Sequence, residues 1–112
     1  MPHCVMHATQ AFIDRFDMKE LLLGAKKAMV SSQLFSEDAI KLRVLLSQEY
    51  NIADAYDDCL YVQIRLLAGR SAAQKNALSD VVYAYLVQTI HDERISIGVE
   101  IVDMEKESYR KN

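Results

Sequence analysis

Two stretches of the chain alternate between apolar and polar residues, and such alternation predicts strands with one buried face. In the first stretch, "AIKLRVLL", the residues expected on the buried face are Ile40, Leu42, Val44 and Leu46. The residues expected on its opposite face are Lys41, Arg43 and Leu45. In the second stretch, "CLYVQIRLL", the buried set is Leu60, Val62, Ile64 and Leu66, and the opposite set is Tyr61, Gln63 and Arg65.

Apolar residues recur at helical spacing in two other segments, and each segment opens with a capping signal. Asp17 with Glu20 three residues later predicts a capping box at the start of a helix in "MKELLLGAKKAMVSS". Ser71 with Gln74 three residues later predicts a second box, which opens a helix that runs to about His91. We therefore expect two long helices, each following a strand.

The elements follow the order β-α-β, repeated once. Residues 2–8 have the size of a short first strand, and "ISIGVEIV" supplies the fourth. The first repeat covers about residues 2–46 and the second about residues 59–102, separated by the polar stretch "SQEYNIADAYDD" and followed by a tail of residues 103–112. We predict a single α+β domain over residues 1–112, with a four-stranded sheet and two helices on one face. Strands one and two should be parallel, as should strands three and four.

Two helices can cover only one face of such a sheet. The other face carries the mixed set of charged, polar and apolar side chains that the two alternating strands place opposite their buried residues. This surface is too apolar for open water and too charged for a core. We expect the protein to oligomerise through it.

Composition and charge indicate which classes of partner the protein binds. With 51% hydrophobic and 26% charged residues, the chain of 112 residues is expected to fold as a compact globule. A formal net charge of −3 argues against nucleic acid, because domains held by phosphate contacts are usually basic. No apolar run approaches the length of a membrane span, and the first twenty residues lack the pattern of a signal peptide. We expect a cytoplasmic protein with neither a nucleic acid nor a membrane partner.

The cysteines and histidines do not suggest a metal site. Cys4 and Cys59 lack metal-ligand spacing, and a reducing cytoplasm would keep them as thiols. His3 and His7 stand four residues apart, but no acidic or thiol ligand lies near them in the sequence. We expect no metal and no cofactor.

The only proline of the chain, Pro2, directly follows Met1. A chain terminus tolerates proline without cost, since no backbone hydrogen bond is lost there. If Met1 is removed, however, the ring nitrogen of Pro2 becomes a secondary amine that can take and return a proton. An α-amino group titrates near about 7.7 to 8.0, and burial or nearby cations favour its neutral form. Position alone does not choose between the two interpretations.

Three short motifs carry a resemblance that covers nearly the whole chain: "MPH", "IKLRV" and "AGRS". In this order and spacing the chain resembles the tautomerase superfamily, and within it the 5-carboxymethyl-2-hydroxymuconate isomerase family. That family begins "PH" after methionine removal, has an "I-R-x-R-V" strand and later a strand ending in "G-R-S". The second half is also similar to the short oxalocrotonate tautomerases, where a "Q-K" follows, as in "AGRSAAQK".

The resemblance implies a homotrimer of two-repeat subunits with inward-facing sheets. It also implies a cofactor-free proton transfer in an unsaturated 2-hydroxy or 2-oxo carboxylic acid of aromatic catabolism, with Pro2 as general base. The small-molecule carboxylate would be bound by Arg43, Arg70 and Lys41. Arg43 offers a planar fork to a carboxylate, whereas Lys41 replaces a family arginine and keeps the charge without the fork. Arg70 is expected at a helix start, where backbone N–H groups also attract anions.

The sequence departs from the pattern at two further points, and alternatives stay open. Gly98 stands where the short tautomerases carry an arginine, so we expect one site per subunit. The first half lacks the "G-R-S" turn, which leaves Arg15 without an assigned role.

The alternative functions are those of a relative with hydratase or dehalogenase activity and of a non-catalytic trimeric ligand-binding protein. Arg43 and Arg70 could also each serve only in a surface or interface ion pair.

Overall fold

The computed structural model describes residues 1–112 and contains four strands and three α-helices. In chain order these are β1 (His3–Thr9), α1 (Gln10–Arg15), α2 (Met18–Ser31), β2 (Lys41–Ser47), β3 (Asp58–Leu67), α3 (Ala72–Ile90) and β4 (Ile95–Met104), with one 3-10 turn at Glu37–Ala39. The sheet order is β2-β1-β3-β4. β1 pairs with β2 and β3 with β4 in parallel, while β1 and β3 are antiparallel. The predicted α+β class and both parallel pairings are confirmed.

Both long helices begin where the capping signals place them. The Ser71 hydroxyl accepts the backbone N–H of Gln74 at 3.2 Å, and the Gln74 side chain accepts the backbone N–H of Ser71 at 2.9 Å. Asp17 caps α2 by accepting the backbone N–H groups of Lys19 and Glu20. The return contact from the Glu20 side chain does not form, so only half of that predicted box is present. Each capping contact satisfies N–H groups that the helix itself cannot pair.

The sequence did not predict the short helix α1. The Thr9 hydroxyl caps it by accepting the Phe12 N–H at 3.2 Å, and the Phe12 side chain is fully buried. Six residues make fewer than two turns, which is too short for an apolar period to show. Arg15 ends this helix and pairs with Asp92 at 3.0 Å. The segment that replaces the first "G-R-S" turn is therefore a helix with a structural ion pair.

The core lies between the sheet and the helices. In β3 the predicted buried residues Leu60, Val62, Ile64 and Leu66 are all buried. In β2 the prediction is less accurate, because Leu46 is 43% exposed although it belongs to the core-facing set. β2 is an edge strand, and an edge strand has a neighbouring strand on one side only. Its side chains are therefore covered less completely than those of β3.

The sheet face away from the helices, which we call the open face, is charged and apolar at once. From β1, β2 and β3 it carries His3, Val5, His7, Lys41, Arg43, Leu45, Tyr61, Gln63 and Arg65. Leu45 is 46% exposed and Tyr61 is 40% exposed on it. The mixed surface expected from the alternation is present, and no part of this chain covers these two side chains fully.

The topology gives the sheet two unlike ends. At one end β1 and β2 begin, at His3 and Lys41, and β3 and β4 finish. We call this the amino end, since Met1 lies there. At the other end, which we call the far end, β1 finishes at Thr9 and β3 begins at Asp58. Residues from all four strands therefore meet at each end.

Candidate active site

Four cationic side chains gather at the amino end, and we call them the cationic cluster: Lys41, Arg43, Arg65 and Arg70. In the sheet register, Lys41 and Arg65 flank His3 from opposite sides, and Arg70 follows the end of β3. None of the four has a carboxylate oxygen within 4.0 Å. The interpretation as surface ion pairs is therefore wrong within this chain for Arg43 and Arg70. Unpaired cations attract an anion from solution.

Glu100 shares the open face with the cluster but is engaged elsewhere. The Tyr61 hydroxyl donates a hydrogen bond to it, and the Gln63 amide donates another at 3.4 Å. The Tyr61 bond, with that from Gln63, holds the pKa of Glu100 below its usual range. The charge of Arg65 also lowers this pKa, so Glu100 acts on one member of the cluster, while Lys41, Arg43 and Arg70 are not among its causes.

Pro2 is locked into the same end of the sheet. Its side chain is fully buried, and its carbonyl accepts the backbone N–H of Lys41 at 3.0 Å. This bond extends the pairing of β1 and β2 back to Pro2. Burial, and then the charges of Arg70, Lys41 and Lys111, lower the pKa of the Met1 amino group below its usual 8.0. Pro2, Lys41 and Arg70, three of the predicted site residues, thus meet at the start of the chain.

Arg70 is held by the segment that links α2 to β2. Its guanidinium donates to the Leu34 carbonyl at 2.9 Å and lies 5.4 Å from the centre of the Phe35 ring. Gly69 precedes it with φ of +132°, a backbone conformation that favours glycine. A guanidinium has five N–H donors, and only one of them is used inside this chain. The side chain is therefore anchored, while most of its donors stay free.

Arg43, the fourth predicted site residue, lies beside His3. Its guanidinium is 3.2 Å from His3 Nδ1, and His3 Nε2 is 2.9 Å from the Tyr109 hydroxyl. Burial, followed by the charges of Arg43 and Lys41, lowers the pKa of His3 from its usual 6.5. The imidazole is therefore neutral at pH 7. Lys41 and the amino group also act on His3, so the His3 ring and the amino group belong to one site.

Sequence reasoning missed Tyr109. The sequence predicts a tail over residues 103–112, but β4 continues to Met104 and a turn follows it. The backbone N–H of Tyr109 donates to the Glu105 carbonyl at 3.1 Å and closes that turn. A single aromatic residue in a polar tail was the only signal. Arg65 was placed on the correct face, but no motif distinguished it.

The two thiols and the histidines suggest no other chemistry. Burial raises the pKa of Cys4 to about 12, although the charge of Arg43 acts in the opposite direction. Burial, and then the charge of Asp58, raise the pKa of Cys59. Both are therefore thiols at neutral pH, not reactive thiolates. Nowhere in residues 1–112 do three His, Cys, Asp or Glu side chains come together as a possible metal site.

A cavity of about 840 Å³ lies at the far end, between the last turn of α3 and the start of β4. Asp92 and Arg94 line it, but both are engaged in ion pairs, with Arg15 and Asp57. The arginine that lines it therefore already has a carboxylate partner, whereas the members of the cationic cluster have none. The amino end is the better candidate for an active site.

Comparison with solved structures identifies the class. The chain is similar to a 5-carboxymethyl-2-hydroxymuconate delta-isomerase, with TM-score 0.84 and 20% identity, covering 100% of this chain and 87% of the other. It is also similar to Pt0534 inactivated by 2-oxo-3-pentynoate (0.80, 18%, covering 97% and 90%). A third similar structure is the F6 fused 4-OT wild-type asymmetric trimer (0.78, 18%, covering 98% and 92%). The protein has the tautomerase fold.

The sequence identifies the family. The family model described as 5-carboxymethyl-2-hydroxymuconate isomerase matches residues 2–112, and the chain belongs to this family. The resemblance carried by "MPH", "IKLRV" and "AGRS" is thus confirmed, and the protein is an isomerase of the tautomerase type. Comparison with curated proteins gives no significant match. No helix has both the length and the apolar character needed to cross a membrane.

Proposed function

We propose that the protein is a cofactor-independent isomerase of the cytoplasm whose general base is the ring nitrogen of Pro2, freed by removal of Met1. Its substrate is an unsaturated 2-hydroxy or 2-oxo carboxylic acid of aromatic catabolism, such as 5-carboxymethyl-2-hydroxymuconate. One observation carries the proposal: the amino group of the chain lies among cations that have no carboxylate partner. Membership of the family supports the same reaction.

The surroundings of Pro2 favour a neutral amine. Burial and the charges of Arg70 and Lys41 already lower the pKa of the Met1 amino group, and Pro2 lies deeper than Met1. The same two causes disfavour a charged amine at Pro2. A neutral secondary amine takes the hydroxyl proton of a 2-hydroxydiene and returns a proton to carbon. An O–H bond breaks, a C–H bond forms, and the product is the 2-oxo isomer.

The cations supply the rest of the catalysis. Negative charge builds on the 2-oxygen as the proton leaves, and fixed positive charges stabilise it without reorganising. Arg70 and Lys41 lie on the side of the amino group and are assigned to the 2-oxygen and the adjacent carboxylate. Arg43 lies on the side of His3 and is assigned to the remainder of the substrate.

The open face supports a homotrimer. Leu45 and Tyr61 stay exposed there, and the similar fused 4-OT structure is a trimer. In the proposed trimer the open faces point inward, and each subunit carries one site at its amino end. Sedimentation equilibrium measures the mass directly, and a monomer at micromolar concentration would remove this part of the proposal.

The decisive experiment compares three proteins of known intact mass: the chain that begins at Pro2, the same chain with Met1 retained, and Pro2→Ala with Met1 removed. Retention of Met1 turns the Pro2 nitrogen into an amide, which is not a base. In the chain that retains Met1 we therefore expect kcat/KM for 5-carboxymethyl-2-hydroxymuconate to fall by about two to four powers of ten, the usual contribution of a general base. Pro2→Ala should also lose activity because the secondary amine is gone.

A covalent probe provides a readout without turnover. The acetylenic 2-oxo acid 2-oxo-3-pentynoate inactivates Pt0534, which has the same fold. We expect it to add to the chain that begins at Pro2 and to leave the Met1-retaining chain unmodified, as judged by mass. Equal activity of both chains would contradict the proposal. Binding without turnover would indicate a ligand-binding trimer, and solvent oxygen in the product would indicate a hydratase.

A further inference from the structure

The residues that follow β4 form a small folded segment, residues 105–112, which we call the C-terminal strap. Its own hydrogen bonds fold it: the backbone N–H groups of Ser108 and Tyr109 donate to the Glu105 carbonyl at 3.2 and 3.1 Å. The Arg110 guanidinium donates to a carbonyl of the same segment at 2.7 Å. Because these bonds join neighbours within the strap, the strap can move as one unit.

A single hydrogen bond ties the strap to the rest of the protein. The last backbone bond before it joins the Ala68 N–H to the Met104 carbonyl at 2.9 Å, and no backbone bond links residues 105–112 to the residues before them. The one side-chain bond joins the Tyr109 hydroxyl to His3 Nε2, at 2.9 Å, and no salt bridge is added. Tyr109 is half-buried, and the other strap side chains are exposed. A segment with so few buried contacts opens at a low cost in free energy.

The bond between Tyr109 and His3 joins two uncharged groups. A guanidinium only donates, so Arg43 donates to His3 Nδ1, 3.2 Å away, and that nitrogen carries no proton. The neutral ring therefore carries its proton on Nε2 and donates it to the Tyr109 oxygen. A hydrogen bond between neutral groups shifts an equilibrium about 2- to 10-fold. Loss of this bond should therefore open the strap measurably without unfolding the protein.

The strap contacts the amino end at two separate places. At one place the Tyr109 ring meets the His3 ring edge-on, with 6.0 Å between the ring centres. At the other place Lys106 lies beside Gly69, which directly precedes Arg70. Lys106 Nζ is 3.6 Å from the position that a Cβ atom would take on this glycine. The strap thus reaches from the strand that follows the amino group to the turn that carries Arg70.

The amino group itself lies within reach of the strap. Burial lowers the pKa of the Met1 amino group first, and the charges of Arg70, Lys41 and finally Lys111 lower it further. Lys111 belongs to the strap, whereas the other two cations belong to the cationic cluster. The strap and the cluster therefore surround the same group.

We propose that the C-terminal strap is a lid over the amino-end site, latched by Tyr109 on His3, and that it must open before a ligand reaches the amino group. This inference rests on the proposed function, because it places the site at the amino end. The lid opens by turning about Glu105, directly after β4, and it breaks one hydrogen bond as it does so. When closed, it separates the amino group and the cations from water, which strengthens their interaction with a bound anion.

Trypsin measures the opening of the strap without any ligand. Cleavage after Lys106 needs an open strap, and its rate follows the population of the open form when opening is faster than cleavage. We compare wild type with Tyr109→Phe, and with Tyr83→Phe as a matched control at an exposed position of α3. We expect release of residues 107–112, followed by mass, to be about 2- to 10-fold faster in Tyr109→Phe and unchanged in Tyr83→Phe. Equal rates in the three proteins would overturn the latch.

Acetylation of the terminal amine tests whether the strap covers the site. The chain that begins at Pro2 is treated with N-hydroxysulfosuccinimide acetate at about pH 9, where an α-amine is neutral and its rate reports access. We expect acetylation of Pro2 to be about 2- to 10-fold faster in Tyr109→Phe than in wild type. It should be faster still in a chain that ends at Glu105, which lacks exposed residues but no strand. Lys19, an exposed amine on α2, is the internal reference in each digest.

The two measurements can fail independently of the proposed function. Neither uses turnover, so both report on the strap even if Pro2→Ala keeps full activity. A chain ending at Glu105 that is acetylated at Pro2 as slowly as wild type would overturn the lid. Faster acetylation of Lys19 by the same factor as Pro2 would also overturn it, because the change would then be general and not confined to the site.

Discussion

The two ends of the sheet both carry arginines, but they differ in what those arginines meet. At the far end, Arg15 lies 3.0 Å from Asp92, and Arg94 lies 2.8 Å from Asp57. At the amino end, no member of the cationic cluster has a carboxylate within 4.0 Å. The arginines of the far end are therefore neutralised by carboxylates, whereas the cations of the amino end are open to an anion. What distinguishes a binding site from a structural surface here is the lack of counter-charge, not the number of cations.

The polar groups buried near each end differ in the same way. At the far end the Thr9 hydroxyl donates to Asp58, which also accepts the Cys59 N–H at 2.8 Å. These bonds join β1 to β3 inside the protein. At the amino end the Tyr109 hydroxyl contacts only the His3 ring. These far-end bonds hold the fold, whereas the cations of the amino end have no carboxylate partner and are available to a ligand.

The largest expected difference between the two ends is the effect of an arginine substitution on kcat/KM. We expect Arg43→Gln and Arg70→Gln each to lower kcat/KM for 5-carboxymethyl-2-hydroxymuconate roughly 10- to 100-fold, because each loses a charged hydrogen bond to the substrate. Steady-state kinetics on the chain that begins at Pro2 measures the effect. Arg94→Gln is the matched control and should leave kcat/KM unchanged. A similar loss in Arg94→Gln would show that the two ends do not differ in function.

Removing a hydroxyl from the far end should affect stability alone. Thr9→Val loses the hydrogen bond to buried Asp58 and the cap of α1. We expect the free energy of unfolding to fall by about 1 to 3 kcal/mol, the usual cost of leaving a buried polar group unpaired. Urea titration measures it, and kcat/KM of the folded variant should equal that of wild type. A loss of activity without a loss of stability would contradict this prediction.

The smallest expected effect concerns Cys4, which lies on the core side of β1 near the cationic cluster. Burial raises the pKa of its thiol to about 12 despite the charge of Arg43. A thiol keeps its proton at a pH well below its pKa, so no thiolate forms between pH 7 and 9 in the native protein. We expect a thiol reagent to leave Cys4 unmodified in that range and to react with it after unfolding in urea. Peptide mapping identifies the modified cysteine. Rapid labelling of Cys4 in the native protein would contradict the prediction, because it would show that the charge of the cluster outweighs the burial of this thiol.

The sequence predicted those parts of the fold that depend on a local pattern. β3 alternates cleanly because the helices bury one of its faces, and Ser71 with Gln74 fixes the start of α3. The same reasoning missed α1, whose six residues are too few for a period. It also placed Leu46 on a buried face, since alternation does not reveal that β2 is an edge strand.

The candidate site was predictable only in part. Lys41, Arg43 and Arg70 were indicated by motifs that resemble a family, and the pattern of the strands alone would have ranked Arg65 equally. Tyr109 could not be found, because its contact with His3 depends on how the chain returns across 106 positions. Nor does a sequence show which cations lack a carboxylate partner. That property comes from the packing of the two ends.

The central claim is that the amino end holds a neutral amine among unpaired cations, and ¹⁵N NMR of the Pro2 nitrogen tests it most directly. The chain that begins at Pro2 is titrated, and the pKa of this amine is compared with that of Arg70→Gln. We predict a pKa below the ordinary α-amino range of about 7.7 to 8.0, and a higher value in the variant, because a cation is removed. kcat/KM should then rise with pH up to that pKa and stay level above it. A pKa at or above the ordinary range, unchanged in Arg70→Gln, would contradict the account.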